Sequence, residues 1–129
     1  VLDINPPGLC KDGRCLDEGL LHGLPDMLRQ ARGTQLLVLH QLGNHGPSYF
    51  RRYPPAFARF KPACEFDDLQ KCSREQIVNA YDNALLYTDH VLASLVAKLK
   101  AAGHTKMSRS GLIRFALDHM DTAKLPKAY

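Results

Sequence analysis

TQLLVLHQLGNHGPSYFRRYP, Thr34–Pro54, opens as an unbroken apolar run and closes as a turn carrying two histidines, aromatics and arginines. A short run such as TQLLVL, bounded by turn-forming residues, predicts a strand buried on both faces, the kind found in parallel sheets. In open α/β sheets, ligands gather beyond the carboxyl ends of the strands. His40 stands at that end, and His45 lies in the loop that leaves it. Gly43 and Gly46 let the backbone turn sharply there, which brings the two imidazoles toward one point. Imidazole at neutral pH serves as metal ligand, general base or phosphate donor. Arg51 and Arg52 have the chemistry to pair with a phosphate, and Tyr49, Phe50 and Tyr53 to wall a pocket. Each also has a plain structural use: His40 ending a strand, His45 filling a turn, the arginines solvated at the surface. Two histidines fall short of the three or four ligands of a zinc site.

Upstream, residues 1–15 read as loop, broken by Pro6, Pro7, Gly8 and Gly13. Leu16, Leu20, Leu21, Leu24, Met27 and Leu28 then fall at helical spacing over residues 16–32. Gly19, Gly23 and Pro25 interrupt this helix or delay its start, and Gly33 is placed to end it. Downstream, residues 43–62 are irregular, with Pro47, Pro54, Pro55 and Pro62. A long helix follows over residues 73–100. Ser73 and Gln76 form a capping-box pattern, Ile77, Tyr81, Ala84, Leu85, Thr88, Leu92, Leu95, Val96 and Leu99 repeat at helical spacing, and Gly103 stops it. Asn79, Asp82, Asn83 and Asp89 form its polar face, with Asp82 and Asn83 also able to turn toward the histidines. Helix, buried strand, long loop and long helix make a piece of a layered α/β fold. With one strand evident, the chain reads as part of a domain.

The whole sequence has 129 residues, 45% hydrophobic and 23% charged, which suits one globular domain at most. Its net charge of +4 is mild and no block of five like charges occurs, so a nucleic-acid-binding arm is not indicated. No apolar run reaches 18 residues, the length that would cross a bilayer. The opening VLDINPPG lacks the basic start and apolar stretch of a signal peptide.

The four cysteines, Cys10, Cys15, Cys64 and Cys72, fall in two close pairs. Three disulfide pairings are open to them, and reduced cysteines are a further alternative. The local pairing closes two small loops and needs no long-range folding. Gaps of four and seven residues suit a zinc ribbon poorly. Disulfides would imply an oxidising compartment such as the periplasm.

Residues 40–64, HQLGNHGPSYFRRYPPAFARFKPAC, followed by LQKC and QIVNAYDNALLYTD, strongly resemble the lipid A phosphoethanolamine transferases, which include the mobile colistin-resistance enzymes. Both cysteine pairs and the segment DEGLLHGL belong to the likeness, which runs from about Cys10 to Leu99. The resemblance implies an alkaline-phosphatase-like, sulfatase-type α/β/α sandwich on the periplasmic face of the inner membrane, reached through an N-terminal transmembrane region. It implies transfer of phosphoethanolamine from phosphatidylethanolamine to lipid A through a phosphothreonine, with zinc activating the nucleophile. This is a lipopolysaccharide modification that confers polymyxin resistance. It implies that His40 and His45 contact substrate, that His45 meets the substrate phosphate or a second zinc, and that the disulfides are Cys10–Cys15 and Cys64–Cys72.

The sequence also departs from the family pattern. The threonine nucleophile and one acidic zinc ligand are expected upstream of residue 1, so no catalytic residue is assigned. An S-D-H-G-E segment is expected after the long helix. Asp118 and His119 are followed by neither glycine nor glutamate, and the ligand role is not carried onto them. The expectation is therefore a partial catalytic domain over residues 1–103 and a tail unlike the family over residues 104–129, inactive by itself. Two alternatives stand beside it. One is a small disulfide-stapled module that binds zinc or phosphate without catalysis. The other is a sulfatase-like hydrolase, against which the C-x7-C and NAYDN segments argue.

Overall fold

The computed structural model describes residues 6–11, 13–33 and 36–103. The tail expected over residues 104–129, with Asp118 and His119, lies outside the described residues. In chain order come β1 (Cys10–Lys11), β2 (Arg14–Cys15), a 3-10 turn at Asp17–Leu21 and helix α1 (Leu24–Gln30). Three further 3-10 turns follow at Tyr49–Arg51, Pro55–Phe57 and Leu69–Lys71, and then helix α2 (Arg74–Ala101).

Helix α2 begins where the sequence says. Ser73 Oγ accepts from the Gln76 amide at 3.2 Å, and Gln76 Oε1 accepts from the Ser73 amide at 2.8 Å. This reciprocal cap satisfies two of the donors that a helix start leaves open. At the other end the Gly103 amide donates to Lys100 O, with Gly103 at φ 96°. Only glycine takes that left-handed conformation at no cost.

The helical run over residues 16–32 is divided. Its first part is the 3-10 turn; Gly23 at φ 68° then breaks the chain direction before Pro25 enters α1. The helix ends at Gln30 with Ala31 as its C-cap, so Gly33 lies beyond the end and does not form it.

The core sits between α2 and everything before it. Leu21, Leu24, Tyr53, Ala84, Tyr87 and Val91 are buried together, with Leu16, Leu28, Leu39, Phe57, Ala58 and Leu95 packed around them. Covering each large apolar side chain contributes roughly 1.5–3 kcal/mol. Phe57 meets the Tyr87 ring edge-on at 5.0 Å between centroids. The buried stripe of α2 runs through Ala80, Asn83, Ala84, Tyr87 and Val91. It is turned from the face expected for Tyr81 and Leu85, which remain 40% and 50% exposed.

Both cysteine pairs are local disulfides, Cys10–Cys15 and Cys64–Cys72. The first closes the β1–β2 hairpin, in which Cys10 faces Cys15 directly. The second draws the loop before α2 against the helix start, where the Cys64 amide donates to Gln76 O at 2.9 Å.

The strand expected over Thr34–Leu39 is not formed by its described part. Residues 36–40 carry no strand, and Leu36 and Val38 are 89% and 76% exposed. A strand apolar on both faces needs a neighbour on each side to satisfy its backbone. Among the described residues the only ladder is the two-residue β1–β2 pair.

Candidate functional site

His40 follows the uncovered run, and His45 sits in the turn beyond it. The turn closes where the His45 amide donates to Leu42 O at 2.8 Å. Both histidines are exposed, and one tight turn separates their backbones.

Four side chains fix that turn. Asp17, buried at the head of the first 3-10 turn, accepts from the Leu42 amide at 2.9 Å and the Gly43 amide at 2.7 Å. Asn44 donates to Tyr81 O of α2 at 2.9 Å, and its Oδ1 accepts a longer bond from Thr88 at 3.4 Å. Arg52 Nη2 donates to His45 O at 3.0 Å, which fixes the peptide on the other side of the imidazole. Arg52 Nε is buried with no partner.

Arg51 has a different role from the phosphate contact its sequence position allowed. It forms a forked pair with Asp67, 3.1 Å from Nε to Oδ1 and 2.7 Å from Nη2 to Oδ2, and Ser48 Oγ donates to the same carboxylate at 2.6 Å. The Ser48 hydrogen bond, and then the Arg51 one, hold the Asp67 carboxyl below the usual carboxylate range. Tyr49 stacks edge-on against Tyr81 at 5.5 Å. Phe50 and Tyr53 do line a cavity, of about 690 Å³, with Pro55, Lys61, Pro62 and Glu65. Neither histidine borders it, so it is not the pocket beyond the strand end.

Asn83 leaves the polar face assigned to it. It is fully buried, and its Oδ1 accepts from the Arg59 and Phe60 amides at 2.8 Å each. Its Nδ2 donates to Phe60 O at 2.9 Å and to Tyr53 Oη at 3.3 Å. Asn79 donates to Pro62 O at 2.8 Å. These bonds hold the irregular 59–62 segment on α2. Asp82 stays half-buried and Asp89 exposed. Beside Asp17, Glu18 accepts a long 3.5 Å bond from Tyr87 Oη and lies 3.7 Å from His90 Nε2. Burial, and then the nearby Glu18 charge, push the Tyr87 hydroxyl up to about 12.

Sequence reasoning passed over Asp17 and Glu18. The available signal was an acidic pair heading a segment, DEGLLHGL, that is otherwise apolar.

A local fold organised around this turn has clear relatives. The family model described as Sulfatase matches residues 2–120. The chain belongs to the sulfatase family. Within it, the similarity is to phosphoethanolamine transferases. The chain is 46% identical over 101 residues to "Phosphoethanolamine transferase EptA" of Salmonella typhimurium, covering 78% of this chain and 18% of that protein. It is 48% identical over 87 residues to "Phosphatidylethanolamine transferase Mcr-1" of Escherichia coli, covering 67% of this chain and 16% of the relative. The soluble domain of lipooligosaccharide phosphoethanolamine transferase A from Neisseria meningitidis superposes with a TM-score of 0.68 at 39% identity, over 74% of this chain and 28% of that one. The layered α/β architecture inferred from the sequence is thus the fold to which this chain contributes. The chain spans less than a fifth of the length of the curated relatives it matches.

Sulfatase-type enzymes are generally metal-dependent. Among the described residues, no three His, Cys, Asp or Glu side chains gather as a ligand set, and all four cysteines are in disulfides. A catalytic zinc takes three protein ligands. The described residues do not fit a complete zinc site, and no chemical step is routed through one. No described helix is long and apolar enough to cross a membrane.

Proposed function

We propose that these residues form part of the catalytic domain of a periplasmic enzyme, held at the inner membrane, that moves phosphoethanolamine from phosphatidylethanolamine onto lipid A. The observation that carries this reading is the pinned turn. Reactive side chains keep one geometry only when supporting contacts hold them, and this turn is tied to a buried carboxylate, to a helix and to an arginine. His40 and His45 are the groups presented, in the role of substrate contacts, with His45 meeting the phosphate or supplying one ligand to a metal. Similarity to transferases over more than three-quarters of this chain supports the same reading.

The 129 residues by themselves are proposed to be inactive. The covalent step needs a threonine nucleophile, and no residue here matches the family's. Losing a nucleophile from a catalytic unit costs on the order of a millionfold in rate.

A chimera tests the proposal. Residues 10–99 replace the matching segment of the Salmonella typhimurium relative, and lipid A modification is measured in membranes. Transfer is expected to survive the exchange and to fall at least a hundredfold with His45→Ala. A folded chimera without transfer, or one indifferent to both His40→Ala and His45→Ala, would overturn the reading.

A further inference from the structure

Asp17 is a buried acid for which no ion pair is found among the described residues. It is 8% exposed, and its two carboxylate oxygens accept from two successive backbone amides 25 and 26 residues away, Leu42 and Gly43. A carboxylate taken from water is tolerated when hydrogen bonds replace the lost hydration. Charge-assisted bonds of this kind are about twice as strong as neutral ones. The two amides lie between His40 and His45, in the turn that joins them. The Leu42 residue is held at both ends, its amide by Asp17 and its carbonyl by the His45 amide. The neighbouring Glu18 lies by Tyr87 and His90 of α2 instead. The acidic pair is therefore a strut, with one carboxylate gripping the loop and the other facing the helix.

We propose that Asp17 is a positioning residue, whose carboxylate sets the separation and orientation of His40 and His45 by clamping the Leu42 and Gly43 amides. That the histidines contact substrate rests on the function proposed above; that Asp17 sets their turn does not. Asparagine in its place would keep the volume but offer one acceptor, and its NH2 group would meet the second amide donor to donor. The Leu42 peptide would rotate away, and the His45 bond to Leu42 O, which Asp17 does not touch, would weaken with it.

Amide hydrogen exchange on the 15N-labelled 129-residue chain reads this directly, comparing Asp17→Asn with the parent. The Leu42, Gly43 and His45 amides are expected to exchange at least tenfold faster in the variant. Those of α2 from Ile77 to Val96 should stay within twofold. An unchanged His45 amide, or a uniform rise across α2 as well, would overturn the positioning role, because the first means the turn holds itself and the second means general destabilisation. Should the variant not fold, the parent still decides. Couplings across the hydrogen bonds, from the Leu42 and Gly43 nitrogens to the Asp17 carboxyl carbon, are expected, and their absence would overturn the clamp.

Titrating phosphoethanolamine while following the His45 ring separates the two readings. A ring response in the parent that weakens at least tenfold in Asp17→Asn supports the positioning role, and an equal response in both overturns it. A parent ring that never responds counts against the substrate reading alone, and the amides then decide the role of Asp17.

Discussion

Residues 74–101 and residues 36–42 are both rich in apolar side chains, and the structure treats them in opposite ways. Helix α2 buries Ala84, Tyr87 and Val91 in the core and packs on α1 and on the Asp17–Leu21, Tyr49–Arg51 and Pro55–Phe57 turns. The run at 36–42 leaves Leu36, Leu37, Val38 and Leu42 open, and only Leu39 reaches the core. The difference is one of backbone hydrogen bonding. A helix closes its bonds within its own residues, so it needs cover on one stripe alone. A strand has no bonds of its own and needs neighbours before its side chains can be covered. The same hydrophobicity therefore yields a finished element in one place and an open one in the other.

Several measurements break or sharpen that contrast. Asn83 is the polar centre of the covered half, and Asn83→Ala strands two amides and a carbonyl of the 59–60 segment. A loss of about 3 kcal/mol in urea unfolding is expected, since three hydrogen bonds to the part-buried 59–60 backbone are lost at about 1 kcal/mol each. A loss below 1 kcal/mol would mean that α2 does not depend on that loop. Replacing Cys64 and Cys72 by serine opens a loop with a sequence separation of 8, for which the chain-entropy relation gives about 2–3 kcal/mol. The same assay checks it, and the α2 amides should lose protection from the N-terminal end first.

The next contribution is full at neutral pH and is lost in alkali. Tyr87 titrates near 10 in the unfolded chain and about 12 in the fold, so its contribution is complete below pH 10. Between 10 and 12 the unfolded state loses the proton first, and stability falls as pH rises. Tyr87→Phe should flatten that part of a stability–pH curve; an unchanged slope would place the cause elsewhere. The smallest effect belongs to the open half. Leu36→Ser with Val38→Thr should change stability by no more than about 0.5 kcal/mol, because exposed side chains have little cover to lose. Light scattering should show less self-association in that double variant. A large destabilisation would show that the run is covered in solution after all.

The legible parts of the molecule are those whose partners lie nearby in sequence. Ser73 and Gln76 cap one another three residues apart, and Gly103 ends the helix they start. The break at Gly23 was equally visible, although the end of α1 was not: Gln30 closes it before Gly33 is reached. The stripe of α2 was read one position off because a tyrosine, a leucine and an asparagine carry no mark of which neighbour will arrive. Asn83 looked like surface until Arg59 and Phe60 brought it their amides. Asp17 carried no sign of its role until residues 42 and 43 folded onto it.

The sequence by itself determined the long helix with its ends and the turn carrying His40 and His45, and its resemblance pointed to the family and to the two local disulfides. All of these are set by residues within a few positions of each other or by a motif read directly. Only the tertiary structure decided which face of α2 is buried, that Arg51 pairs with Asp67, that Asp17 holds the histidine turn, and that the run at 36–42 stays open. Those outcomes depend on donors, acceptors and apolar surface brought from 16 to 69 residues away, as from Asp67 to Arg51 and from Glu18 to Tyr87. Local propensity fixes a segment's own hydrogen bonds, whereas burial and satisfaction of polar groups are properties of the segments that meet it.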